Sequence, residues 1–183
     1  MAATFTLTAP LPTAAVHAMA RIEYALAAPE REVVAKVGKA LGFRTGWKPR
    51  AYLGETATRI TMWSQVELNT VFERVGGTVT TRQVERSTSD GSATWIATEI
   101  TLTVDVPEVG PVEVVTDIDD DPENGYRTDL PVVAVARYEA ASEHCRELAA
   151  SGNYAACLPV QDEMAMCRCQ LAAAGRLDLI EAA

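Results

Sequence analysis

The sequence predicts an α+β fold: an antiparallel sheet, made of a three-stranded meander plus one or two short strands, packed by helices and completed by a C-terminal helical hairpin. Three observations lead there. Residues 94–106, TWIATEITLTVDV, alternate cleanly, with Ile96, Ile100, Leu102, Val104 and Val106 on one face and Glu99, Thr101, Thr103 and Asp105 on the other. Turn chemistry brackets that run, since Asp90-Gly91 tolerates the positive φ of a tight hairpin and PEVGP reverses the chain after it. Beyond residue 130, two stretches recur at helical spacing with Gly152 between them.

The elements follow in order. TFTLT (4–8) alternates like a strand, and Thr13 caps a helix carrying Val16, Met19, Ile22 and Leu26. PEREVVAKVGKALG starts on Pro29, buries Val33, Val34, Val37 and Leu41, and stops at Gly42. Residues 43–57 read as a long loop and TRITMW (58–63) as a short strand. In SQVE (64–67), the Ser-x-x-Glu capping box opens a helix through Leu68, Val71, Phe72 and Val75, which Gly76-Gly77 ends. The meander comprises 78–87, 94–106 and 112–118, with one face buried and the other solvated. Asp129 is the expected cap of a helix running to about Ala150, with Ala134, Tyr138, Ala141, Cys145 and Leu148 on its stripe. A second helix, 157–174, carries Val160, Met164, Cys167 and Leu171, and LDLIEAA adds a tail. Residues 1–129 are thus the expected core domain, and 130–183 a helical hairpin packed on it.

Composition narrows the class. A chain of 183 residues, 48% hydrophobic and 22% charged, suits one globular domain. No segment approaches the ~18 consecutive apolar residues of a membrane span. The first residues lack a basic region followed by an unbroken apolar one, so a cytoplasmic location is expected. There, Cys145, Cys157, Cys167 and Cys169 stay reduced. The net charge of −9 is unevenly laid out: residues 1–59 hold eight Lys/Arg against four acids, and the rest holds eight against 21. Such sorting favours a defined partner geometry or self-association into a homo-oligomer, unless the two parts fold together and cancel.

The candidate sites are few. Loop 43–52, FRTGWKPRAY, interleaves Phe43, Trp47 and Tyr52 with Arg44, Lys48 and Arg50, and Lys36 and Lys39 on the preceding helix extend the basic patch. Cations beside aromatic faces suit an anionic partner, single-stranded nucleic acid included. The plainer alternative makes Trp47 an anchor and leaves the cations in solvent. In VVTDIDDDPENGYRTD (114–129), Asp117, Asp119 and Asp121 offer oxygens to Ca²⁺ or Mg²⁺. The calcium-loop pattern fails, because Pro122 stands where glycine belongs and Thr128 where glutamate belongs; a solvated turn explains the same acids.

Cys167 and Cys169 point apart on a helix and no C-x-x-C occurs, so a zinc site would need Cys145, Cys157, one of that pair and His144. Only His17 and His144 are available as bases, and no nucleophile elbow, phosphate-cradling glycine loop or dinucleotide fingerprint is present. The order of elements from 64 to 150 is similar to the double-stranded-RNA-binding domain in topology alone. Acids before the last helix, where that module needs cations, speak against that family.

The expected function is a non-enzymatic binding module that contacts a protein or an anionic, nucleic-acid-like partner through Arg44, Trp47, Lys48, Arg50 and Tyr52. The alternatives are a metal-dependent hydrolase built on Asp117, Asp119 and Asp121, an acidic mimic of DNA, or a structural subunit of an assembly.

Overall fold

The structure, a computed structural model, describes residues 27–88, 90–118 and 129–181. The expected strand 4–8, the helix after Thr13 and most of the acidic loop, 119–128, lie outside the described residues. Those described form a mixed α+β architecture with helices α1 (Ala28–Leu41), α2 (Gln65–Val75), α3 (Pro131–Ala150), α4 (Cys157–Ala173) and α5 (Asp178–Glu181). The strands are β1 (Arg59–Thr61), β2 (Thr78–Ser87), β3 (Thr94–Val106) and β4 (Gly110–Ile118). Among the described residues no helix is long and apolar enough to cross a membrane.

The three strands of the meander pair antiparallel, β2 with β3 and β3 with β4, although β4 begins at Gly110 rather than at the expected 112, so that Gly110 and Pro111 of PEVGP already belong to the ladder. The sheet as a whole is not antiparallel. Strand order is β1-β4-β3-β2, and β1 runs parallel to β4, with Ile60 opposite Val114. The reason is topological. The chain leaves β1 through α2, which crosses one face of the sheet before β2, and three antiparallel strands then bring β4 back beside β1 in the same direction.

Ile60, Val79, Ile100, Leu102, Val104, Val112 and Val114 form the inner face of the sheet. Against them pack Leu68, Val71 and Phe72 of α2 and Val132, Val133 and Ala136 of α3, a core of the kind that burial of roughly 1.5–3 kcal/mol per large aliphatic chain sustains. The α3 stripe reaches further round than the periodicity implies, since five consecutive residues, Val132–Ala136, are all buried.

Local signals account for the element ends. Ser64 Oγ accepts from Glu67 N at 3.2 Å, and Glu67 Oε2 takes the N–H of Trp63 at 2.9 Å. The box therefore reaches one residue further back than its usual form. Gly77 has φ +127°, and a Cβ there would stand 2.6 Å from the carbonyl oxygen of Thr103, so only glycine fits between α2 and β2. The expected Asp129 cap is replaced: α3 starts on Pro131 after Leu130, and Asn69 Oδ1 of α2 accepts the N–H of Val132 at 3.1 Å. A side chain 63 positions away thus performs the capping task.

Candidate functional site

The outer face of the sheet departs most from its expected character. Alternation marks Glu99 and Thr101 as solvent-facing, yet Glu99 is fully buried and Thr101 nearly so. Cross-strand register sets Arg82 opposite Glu99 and Glu99 opposite Asp117 in one row. Arg59 and Glu113 lie two rows away on the same face. Arg59 Nη2 reaches both carboxylate oxygens of Glu99 at 2.9 Å, and Arg82 Nε and Arg86 Nη2 each donate to the same carboxylate at 2.7 Å. Arg86 also grips Asp117 through Nε at 3.0 Å and Nη2 at 2.7 Å, and Arg59 pairs with Glu113.

Burial by itself raises the Glu99 pKa; the hydrogen bonds from Arg59, Arg86 and Arg82 more than reverse this and hold the carboxyl below its ordinary value. Three guanidinium groups are thereby balanced by Glu99, Glu113 and Asp117. The arrangement is electrically closed and leaves little unmet charge for a ligand.

The first-third cations are arranged differently. After Gly42, which ends α1 at φ +72°, the chain turns through Phe43–Trp47. The ring of Trp47 packs over Gly38, where a Cβ would come within 3.3 Å of it, and lies 4.8 Å from the ring of Phe43. Trp47 anchors the loop and also forms the wall between two clefts. One, of about 720 Å³, lies between the loop and the β1–α2 turn and is lined by Arg44, Trp47, Lys48, Trp63, Glu67 and Arg74 among others. The other, of about 850 Å³, lies between the loop and α1 and includes Lys39, Arg44, Trp47 and Lys48.

The five expected contact residues separate into two groups. Arg44 and Lys48 are exposed and, among the described residues, meet no acid, while Trp47 stands between them. Arg50 faces inward. Its Nε donates to Glu55 Oε1 at 3.0 Å, its own N–H to Glu55 Oε2 at 2.6 Å, and its Nη2 to the carbonyl oxygen of Thr61. Glu55 Oε1 also accepts the Thr61 N–H at 3.0 Å. Thr56 meanwhile accepts the Arg59 N–H through Oγ1 and donates its own N–H to the Arg59 carbonyl. Residues 50–56 thus close the free edge of β1, and Arg50 and Glu55 are the latch.

The Arg50 guanidinium also lies 4.5 Å from the ring centroid of Trp63, a residue expected only as the end of a strand. Tyr52 projects into solvent at 77% exposure. Lys36, expected to extend the basic patch, instead pairs with Glu108 and Glu32, which push its pKa up to about 12. Lys39 takes its place, exposed and without an acidic partner among the described residues.

For the metal reading, Asp119 and Asp121 lie outside the described residues, and both oxygens of Asp117 accept from Arg86. Among the described residues no three His, Cys, Asp or Glu side chains are placed to hold an ion, so Cys145, Cys157, His144 and the later cysteines do not come together as a zinc set. Cys157 and Cys167 are buried between the helices of the hairpin, and Cys169 is exposed. Comparison of the chain with family models, with curated proteins and with solved structures returned no match.

Proposed function

We propose that this chain is a binding module that recognises an anionic partner at loop 43–50. One observation carries the reading. The side chains of Lys39, Arg44 and Lys48 have no hydrogen-bond, ion-pair or ring partner among the described residues, and all three residues line the cleft between the loop and α1. Other cations among the described residues are engaged by a carboxylate, a carbonyl or an aromatic ring, as at Arg59, Arg74, Arg86, Arg137 and Arg168. Unmet cations gathered in one place on an acidic protein offer an anion an attractive surface. Trp47 gives that surface an apolar wall, and Arg50 serves it indirectly, by holding the loop to β1. The loop is also a connection between rigid elements, where binding groups are commonly displayed.

The test is charge reversal at two exposed loop positions, Arg44→Glu with Lys48→Glu, against a single-stranded oligonucleotide and a glutamate-rich peptide as probes. The double variant keeps the wild-type melting temperature. Its binding weakens at least tenfold, and the slope of log K against log salt falls by about one for each cation lost. Affinity unchanged for both probes would make the loop structural only.

A further inference from the structure

The cleft between the loop and the β1–α2 turn holds more than charge. Trp63 is 67% exposed, yet it is held at two points: the Arg50 guanidinium lies 4.5 Å from its ring centroid, and its backbone N–H donates to Glu67 Oε2 at 2.9 Å. An exposed ring already fixed in place loses little further freedom when a ligand stacks on it. The same cleft is lined by Arg44, Lys48 and Arg74. Arg74 commits one N–H to the carbonyl of Gly42 at 2.8 Å and keeps its other donors. Among the described residues nothing engages Glu67 Oε1, so the cleft also holds an acceptor. Its volume of about 720 Å³ falls within the roughly 300–1,000 Å³ of small-molecule sites.

We infer that this cleft takes a nucleotide unit, with the base stacked on Trp63, the phosphate held between Arg44 and Lys48, and a base amino group or ribose hydroxyl donating to Glu67. This rests on the anion-binding reading above and names its ligand class. An acidic peptide would use the cations but would leave the immobilised ring without a role, whereas a nucleotide uses ring, cations and acceptor together. The net charge of −9 repels a long polyanion away from the cleft. The ligand is therefore a free nucleotide or the end of a short single strand.

Calorimetry on the full chain tests this with four probes: adenosine 5′-monophosphate, a single-stranded decanucleotide, inorganic pyrophosphate and a glutamate-rich peptide. The two nucleotide probes are expected to bind more tightly than pyrophosphate or peptide. Trp63→Leu, a change at an exposed position, weakens them about tenfold or more while Trp63→Phe keeps most of the affinity, as expected for loss of one stacking platform. Comparable affinity for the monophosphate and the decanucleotide identifies a free nucleotide as sufficient; binding of the decanucleotide alone identifies a strand. If pyrophosphate or peptide binds as tightly as the nucleotides and Trp63→Leu changes nothing, the nucleotide inference is overturned while the anion-binding reading survives. If none of the four probes binds, both fail.

Discussion

Arg59 and Glu99 meet across an intervening strand: the guanidinium of β1 spans β4 and donates to both oxygens of a carboxylate on β3, at 2.9 Å each. On the way it crosses the row that contains Val115 and Thr101, both buried although they lie on the sheet's polar face. A non-local ion pair thereby ties the short parallel strand to the meander, which the three residues of β1 alone would hold weakly.

Replacing Glu99 should therefore cost far more than replacing any other acid on that face. In Glu99→Gln, Arg59, Arg82 and Arg86 keep their charges and lose their common counter-ion. Removing one partner of a fully buried pair costs about 3–5 kcal/mol; here the arginines are a third or more exposed and recover some hydration, so about 2 kcal/mol is expected. Glu113→Gln, at a half-exposed position, should cost under about 1 kcal/mol. Urea unfolding checks both, through a lowered midpoint at unchanged slope. Equal effects of the two variants would show that burial of Glu99 contributes nothing.

The same carboxylate sets an acid limit. Glu99 and Glu55 both have folded-state pKa values below the ordinary 4.5, Glu55 because hydrogen bonds from Arg50 and from Thr61 N–H outweigh the upward effect of its burial. A group with a depressed folded pKa binds its proton more readily when unfolded. Its contribution is complete above the ordinary carboxylate pKa and disappears as pH falls through the folded value. Melting temperature is thus expected to be flat from neutrality to about pH 5 and to fall steeply below about pH 4, as follows from the ordinary carboxylate range. Glu99→Gln should fall less steeply, so the wild-type advantage shrinks with acid. A constant advantage down to about pH 2 would contradict the assignment.

How much of this is legible in the sequence depends on the range of each interaction. The alternation of 94–106, the Asp90-Gly91 turn and the capping box at Ser64 act over a few positions, and the corresponding strands and helix appear where those signals put them. The parallel β1–β4 pair joins residues 54 apart through a strand of three, too short to show a period. Glu99 looks like any polar position on a solvated face, because its burial depends on arginines from β1 and β2 that no local pattern announces. Arg50 carries the composition of a contact residue, but Glu55, five positions on, turns it inward. Trp63 is the reverse case: a residue read as a strand end becomes an exposed ring, because Ser64 starts the helix immediately after it. Clusters of aromatic and basic residues were visible, whereas which cations remain unmatched follows only from the packing.

The Arg50 latch predicts a local effect with a wider reach. In Arg50→Lys the single ammonium cannot serve Glu55 and the Thr61 carbonyl while also covering the Trp63 ring. A loss of about 1–2 kcal/mol is expected, in line with partial loss of a charge-assisted hydrogen-bond set. Amide exchange at Thr61 should accelerate, and Trp63 should become more mobile by fluorescence anisotropy, while β3 and β4 keep their protection. Acceleration spread evenly over the sheet would show that segment 50–56 is not a separate closure of the β1 edge.

The cysteines give a prediction that needs no ligand. Cys169 is exposed, Cys145 half-buried, and Cys157 and Cys167 buried. Burial raises the Cys157 thiol pKa and the nearby Cys145 side chain adds to it; burial raises that of Cys167 as well. Both effects reduce the thiolate that an alkylating reagent needs. Iodoacetamide at pH 8 should therefore label Cys169 first and Cys145 more slowly. Cys157 and Cys167 should react only at the rate at which the α3–α4 hairpin opens, a rate that urea raises sharply. Peptide mass mapping over time reads the order directly. Early labelling of Cys167 would mean that the two helices part more readily than their buried Leu171 and Ala141 imply, and the hairpin would then have to be treated as loosely attached to the sheet.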